Sequence, residues 1–80
     1  MKAVVNIQLK EGVLDPQGKA VHHALSSLHF DEVKDVRVGK QIILQLDDED
    51  EQKASNRVKE MCEELLANTV IENYEIEIVK

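Results

Sequence analysis

Few side chains of this sequence have the types and spacing that chemistry needs. In 80 residues there are three histidines, one cysteine and one acidic run. His22 and His23 are adjacent, so on a helix they point about 100° apart. Paired metal ligands need residues about four apart on one helix face, and these two read as solvated or interface histidines. His29 has no His, Cys or acidic partner at useful spacing. Cys62 falls on the apolar stripe of a helix, with no nearby His and no helix start to lower its pKa, and reads as a core thiol. Asp47-Asp48-Glu49-Asp50-Glu51 lies where a helix begins, and acidic groups there meet the positive end of the helix dipole. Consecutive acids do not converge on one point, so a divalent cation is not expected. A glycine-rich phosphate loop is absent. The sequence therefore predicts no catalytic, cofactor-binding or metal-ligating residues, and a chain that works by binding other proteins.

The elements that position these residues follow from periodicity. Residues 2–10 alternate, with Ala3, Val5, Ile7 and Leu9 on one face and Lys2, Asn6, Gln8 and Lys10 on the other, Val4 being the exception. This is a half-buried strand. After a loop at Glu11–Leu14, Asp15 can cap a helix whose first position suits Pro16. Ala20, Val21, Ala24, Leu25 and Leu28 then recur at helical spacing, which predicts a helix over 16–28. Val33–Val38 and Gln41–Asp47 read as strands joined by a turn at Gly39-Lys40. A two-residue turn there would pair Val38 with Gln41 and put Val36 on the face of Ile43. A three-residue loop or bulge would instead pair Val38 with Ile42 and Val36 with Leu44, and is preferred because register follows the buried face of Ile42, Leu44 and Leu46. A second helix over 51–67 carries Ala54, Val58, Met61, Cys62, Leu65 and Leu66 as its buried stripe. The last strand, 73–79, turns Tyr74, Ile76 and Ile78 inward and Glu75 and Glu77 outward. Residues 1–80 form one domain of order β-α-β-β-α-β. The expected class is α+β and ferredoxin-like: a four-stranded antiparallel sheet, first and third strands central, with two helices on one face.

Size and charge narrow the function. A chain this short buries only roughly 60–65% of its unfolded surface, and self-association is a common remedy. One unpaired cysteine suits a reducing cytoplasm. Residues 1–6 turn polar too soon for a signal peptide, and no apolar run approaches the roughly 18 residues of a membrane span. The net charge is −6. Residues 1–46 carry six basic and five acidic groups, and residues 47–80 carry four and eleven. That balance argues against nucleic acid, and only Phe30 and Tyr74 could stack on bases. Within the fold class, a metal carrier would need two cysteines two apart in the first loop, and an acyl phosphatase an arginine there; neither is present.

Two surfaces stand out. Val13 and Leu14 are apolar in a loop, Asp15 and Pro16 fix the start of the helix, and Gly18 in its first turn costs about 1 kcal/mol against Ala. A glycine tolerated there fits either a tight local turn or close approach by another backbone or a ligand. The open sheet face should carry Val4, Asn6, Gln8, Ile43, Gln45, Glu75, Glu77 and Val79. That mixture of apolar and amide groups resembles an interface more than a solvated face.

The strand Val4-Val5-Asn6-Ile7-Gln8-Leu9-Lys10, the run Gly12-Val13-Leu14-Asp15-Pro16-Gln17-Gly18 and the stretch Val36-Arg37-Val38-Gly39-Lys40 resemble the PurS family over the whole chain. These are small subunits of phosphoribosylformylglycinamidine synthase in bacteria and archaea. One residue departs: His29 stands where the family usually has glycine after the leucine that ends the first helix. The resemblance implies a cytoplasmic, non-catalytic subunit that docks a glutaminase (PurQ) and a synthetase (PurL) and assists ammonia transfer between them. ATP and magnesium would act on the large subunit, with no cofactor held by this chain. The partner-binding residues expected are Val13, Leu14, Asp15, Pro16, Gln17 and Gly18 of the apolar, pre-shaped loop, with Arg37, Gly39 and Lys40. A homo-dimer or tetramer is expected, with Val4, Asn6, Ile43 and Val79 at the oligomer interface. Two other classes stay open on the residues alone: an amino-acid-binding regulatory domain of ACT type, and a small enzyme.

Overall fold

The computed structural model describes residues 1–80. The elements are β1 (Lys2–Leu9), α1 (Pro16–Ser27), β2 (Lys40–Gln45), α2 (Glu51–Met61), a π-helical turn (Cys62–Leu66) that prolongs α2, and β3 (Glu72–Val79). The class is α+β, as expected, but the sheet has three strands, not four, in the order β2-β1-β3. Both pairings are antiparallel, and Val5 lies between Ile42 and Ile76. Only β1 is central; the strand expected beside it in the middle, β2, is an edge.

The missing strand is Val33–Val38. It belongs to no helix or strand and pairs with nothing in the sheet. There is also no turn at Gly39-Lys40, so the expected pairings of Val38 with Ile42 and Val36 with Leu44 do not form. Instead Lys40 already lies opposite Ile7 at the end of β1. Gly39 passes so close that a Cβ would stand 2.8 Å from the Ile7 carbonyl oxygen. The backbone of 33–38 is held by α1 and its N-cap, which take the place of a neighbouring strand. His22 Nε2 donates to the Val33 carbonyl at 3.0 Å, and Val38 N–H donates to Asp15 at 2.8 Å.

The core lies between the sheet and α2. Ala3, Val5 and Ile7 are buried against Val58, Cys62 and Ala67, with Ile42, Leu44, Leu46, Leu66, Tyr74, Ile76 and Ile78 packed around them. The stripe expected on the second helix is correct for Ala54, Val58, Cys62 and Leu66. Met61 and Leu65 are exposed, Leu65 at 83%. The π turn explains the shift: Ala67 N–H donates to Cys62 O, five residues back, and this turns Ala67 inward in place of Leu65. Buried Cys62 has its thiol pKa pushed up, chiefly by desolvation and further by Glu63.

No residue of α1 joins this core. The stripe expected to be buried, Ala20, Val21, Ala24, Leu25 and Leu28, is exposed apart from half-buried Leu25. With residues 28–39, α1 forms an arm beyond the end of the sheet, and the molecule measures 49 × 26 × 14 Å. Its radius of gyration is 16.0 Å, against about 11.6 Å for a compact chain of this length. No helix is long and apolar enough to cross a membrane.

Candidate docking surface

The loop between β1 and α1 is fastened at both ends. Gly12 makes its turn at φ 87, a conformation open to glycine and costly for other residues. Asp15 is the N-cap of α1, and its two carboxylate oxygens do different work. One accepts the Gly18 N–H at 2.8 Å, closing the first helical turn. The other accepts the Val38 N–H at 2.8 Å, tying the loop to the returning chain. These two donors, Val38 first, hold the Asp15 carboxyl below its ordinary value of 3.8, and the Arg37 guanidinium adds to the effect.

Arg37 makes the second fastening. It donates to the Val13 carbonyl at 2.9 Å and to the Lys10 carbonyl at 3.1 Å. One planar guanidinium thus bridges both ends of the turn that Val13 N–H closes on Lys10 O. Gly18 completes the clasp, because a Cβ there would overlap the Val36 carbonyl oxygen. The close backbone that the glycine makes room for belongs to the same chain.

The nine expected partner-binding residues therefore divide in two. Asp15 and Gly18 are buried and reach a partner only through the loop they shape. Arg37 is exposed but engaged with the loop carbonyls. Leu14 is 63% exposed at the tip, Val13 is half-buried, and Pro16, Gln17, Gly39 and Lys40 are exposed around it. Lys40 lies 3.6 Å from the Glu72 carboxylate. The structure so brings all nine onto one end of β1. What sequence reasoning missed is the pair of long-range ties, Asp15 to Val38 and Arg37 to Val13 and Lys10. An acid and an arginine separated by 22 positions carry no local periodicity to reveal them.

The open sheet face holds Val4, Asn6, Ile43 and Val79 as expected. Val4 lies opposite Ile43, Asn6 opposite Gln41, and Val79 opposite Lys2. Gln41 donates to Asn6 at 2.9 Å, and Ile43 is 52% exposed. Asp50 caps α2 by accepting from Gln52 and Lys53 N–H groups.

Comparison with known proteins places this geometry in a family. The family described as PurS, phosphoribosylformylglycinamidine (FGAM) synthase, matches residues 2–80. A phosphoribosylformylglycinamidine synthase subunit PurS from Bacillus subtilis is 54% identical, over 96% of this chain and 90% of its own. The PurS from Methanocaldococcus jannaschii is 47% identical, over 99% of this chain and 95% of its own. A solved structure of B. subtilis PurS superposes with a TM-score of 0.88, covering 99% of this chain and 98% of that one. A chain in a structure of PurLQS from Thermotoga maritima, 37% identical, superposes at 0.88 over 98% of this chain and 95% of its own.

Proposed function

The chain belongs to the PurS family of phosphoribosylformylglycinamidine synthase subunits, and from that premise we propose that its clasped loop docks the larger subunits of the complex. PurS is a subunit of a glutamine-dependent ligase of purine biosynthesis, and this chain matches the family from residue 2 to residue 80. That end-to-end match is the observation that carries the reading. In it, the PurQ glutaminase releases ammonia, and the PurL synthetase consumes it with ATP and magnesium. This chain holds the two together in the cytoplasm and assists the transfer.

The physical support lies in the loop. Asp15 and Arg37 fix its backbone before any partner arrives, so docking loses less conformational entropy. Leu14 then presents apolar surface at a fixed place, flanked by Pro16 and Gln17. The open face, with Val4, Asn6, Ile43 and Val79, serves in this reading as a self-contact between copies.

The test is the double substitution Val13→Ser with Leu14→Ser in the reconstituted three-subunit complex. Glutamine-dependent synthesis is expected to fall at least tenfold, the loss of about 1.4 kcal/mol of docking energy. Synthesis from added ammonium, which bypasses the glutaminase, is expected to fall less. Unchanged glutamine-dependent synthesis at limiting concentrations of the small subunit would remove the loop from the docking surface.

A further inference from the structure

One inward side chain of β1 has no place in the core. Ala3, Val5 and Ile7 are packed there, whereas Leu9, next on the same face, is only half-buried and lies outside the cluster. Leu9 lines a cavity of about 240 Å³ between the end of β1 and the clasp. Ile7 and Val38 complete its apolar lining, and Asp15, Gln17, Lys40 and Glu72 supply polar groups. The charged ones differ in what they have left to give. Both Asp15 oxygens are taken, by the Gly18 and Val38 N–H groups. Glu72 is largely withdrawn from solvent, its side chain 15% exposed. One of its oxygens accepts the Asn68 N–H at 2.7 Å. The other has the Lys40 ammonium at 3.6 Å, beyond hydrogen-bond length. Lys40 lies opposite Ile7 on β2, and Glu72 opposite Leu9 on β3. A cation and an anion thus bracket the end of β1 beside one apolar space, and neither satisfies the other.

We propose that this cavity binds a free α-amino acid with an aliphatic side chain. The ligand's carboxylate lies on Lys40, its ammonium on the second Glu72 oxygen, and its side chain against Ile7, Leu9 and Val38. Charge sets the class. Lys40 and Glu72 cancel, so a zwitterion enters without changing the net charge and gives each group an opposite partner. A simple anion or cation would pair one of them and leave the other without its counter-charge, which is costly for a group as withdrawn as Glu72. Size sets the limit: the cavity is smaller than the roughly 300–1,000 Å³ of pockets for drug-sized ligands, and so fits a small metabolite and not a nucleotide. Binding needs this chain alone, and stands apart from the docking of the larger subunits.

Titration of the isotope-labelled full-length chain with leucine, followed by amide chemical shifts, tests the site. Saturable shifts are expected at Leu9, Gly39, Lys40 and Glu72. Isocaproate is leucine without its ammonium, and isoamylamine is leucine without its carboxylate. Each is expected to bind about tenfold more weakly or worse, having lost one charged hydrogen bond. Lys40→Met and Glu72→Gln should each weaken leucine by a similar factor, about tenfold, with the amide shifts of the rest of the sheet unmoved. No saturable shift in the unaltered chain, shifts confined to the open face at Val4, Ile43 and Val79, or equal binding of either analogue would overturn the assignment. The analogues leave the chain unaltered and decide the matter if a variant fails to fold.

Discussion

At the scale of single residues, His29 shows how a local rule is kept against the residue's preference. It lies just past α1 with φ 72. Its N–H donates to Ser26 O and that of Phe30 to Leu25 O, both at 3.0 Å. This is the double C-terminal closure that usually uses glycine. The sequence marked His29 as a departure from the family; the structure keeps the cap and places His29 in the left-handed region. A left-handed non-glycine residue costs roughly 1–2 kcal/mol, and glycine's unfolded-state freedom costs back roughly 0.5–1. His29→Gly should therefore stabilise by about 0.5–1 kcal/mol, raising the melting temperature by roughly 2–8 °C; a calorimetric scan with no rise would show the cap to be unstrained. Tyr74 offers a second local test. Its hydroxyl donates to Glu63 at 2.6 Å, and that bond, ahead of desolvation, pushes its pKa up to about 12. A raised pKa means the tyrosine's contribution is whole below its ordinary value near 10 and lost as pH rises through about 12. Because Tyr74 is the single tyrosine, tyrosinate absorbance reports it alone. Glu63→Gln should bring the midpoint down, and an unchanged midpoint would assign the shift elsewhere.

Among the elements, those with their own periodicity were legible. β1 and β3 alternate, and α1 carries the cap at Asp15 that local sequence alone predicts, while in the acidic run before α2 it is Asp50 that caps the helix. Val33–Val38 has strand-forming valines too, but a strand also needs a neighbour, and its neighbour depends on where the rest of the chain goes. The Asp15 carboxylate and α1 claim its backbone first, and the turn expected at Gly39 becomes a straight passage along the end of β1. The π turn at Cys62–Leu66 was hidden for a related reason: one extra residue per turn shifts the buried face without changing composition. The clasp has a consequence in pH. Asp15 has a depressed pKa, so its stabilisation is present above the ordinary value of 3.8 and lost as pH falls through the lower folded value. Amide hydrogen exchange at Gly18 and Val38 should stay slow in mild acid and quicken only below pH 3.8. Asp15→Asn, with one acceptor oxygen for two donors, should leave one of those amides fast at neutral pH. Slow exchange at both in the variant would mean that the carboxylate does not hold the loop.

At the scale of the molecule, few residues hold the fold together. Only nine of 80 are buried, and their side chains come from β1, α2 and the turn after it, apart from Asp15 and Gly18 in the clasp. The sequence had implied this shortage from length alone, and had named association as its remedy. It pointed to the open face, because the mixture of apolar and amide groups there resembles an interface. The arm alters that: the stripe written into α1 meets no core of its own chain, and where copies associate, folding and association become one equilibrium. Anything that binds the folded state alone stabilises it by mass action, and a second copy of the chain would do so too. For a dimer of 80-residue chains unfolding to separate strands, the unfolding entropy near 60 °C is about 0.34 kcal/mol/K. A tenfold rise in chain concentration adds about 1.4 kcal/mol per dimer, so the melting temperature should climb by about 4 °C per decade. Leu25→Glu with Leu28→Glu should lower the melting temperature at every concentration and flatten that slope, since α1 then has nothing to give a partner. Scans over two decades of concentration measure both effects. A melting temperature independent of concentration in the unaltered chain would mean that the nine buried residues suffice, and that the arm is not part of what holds the fold.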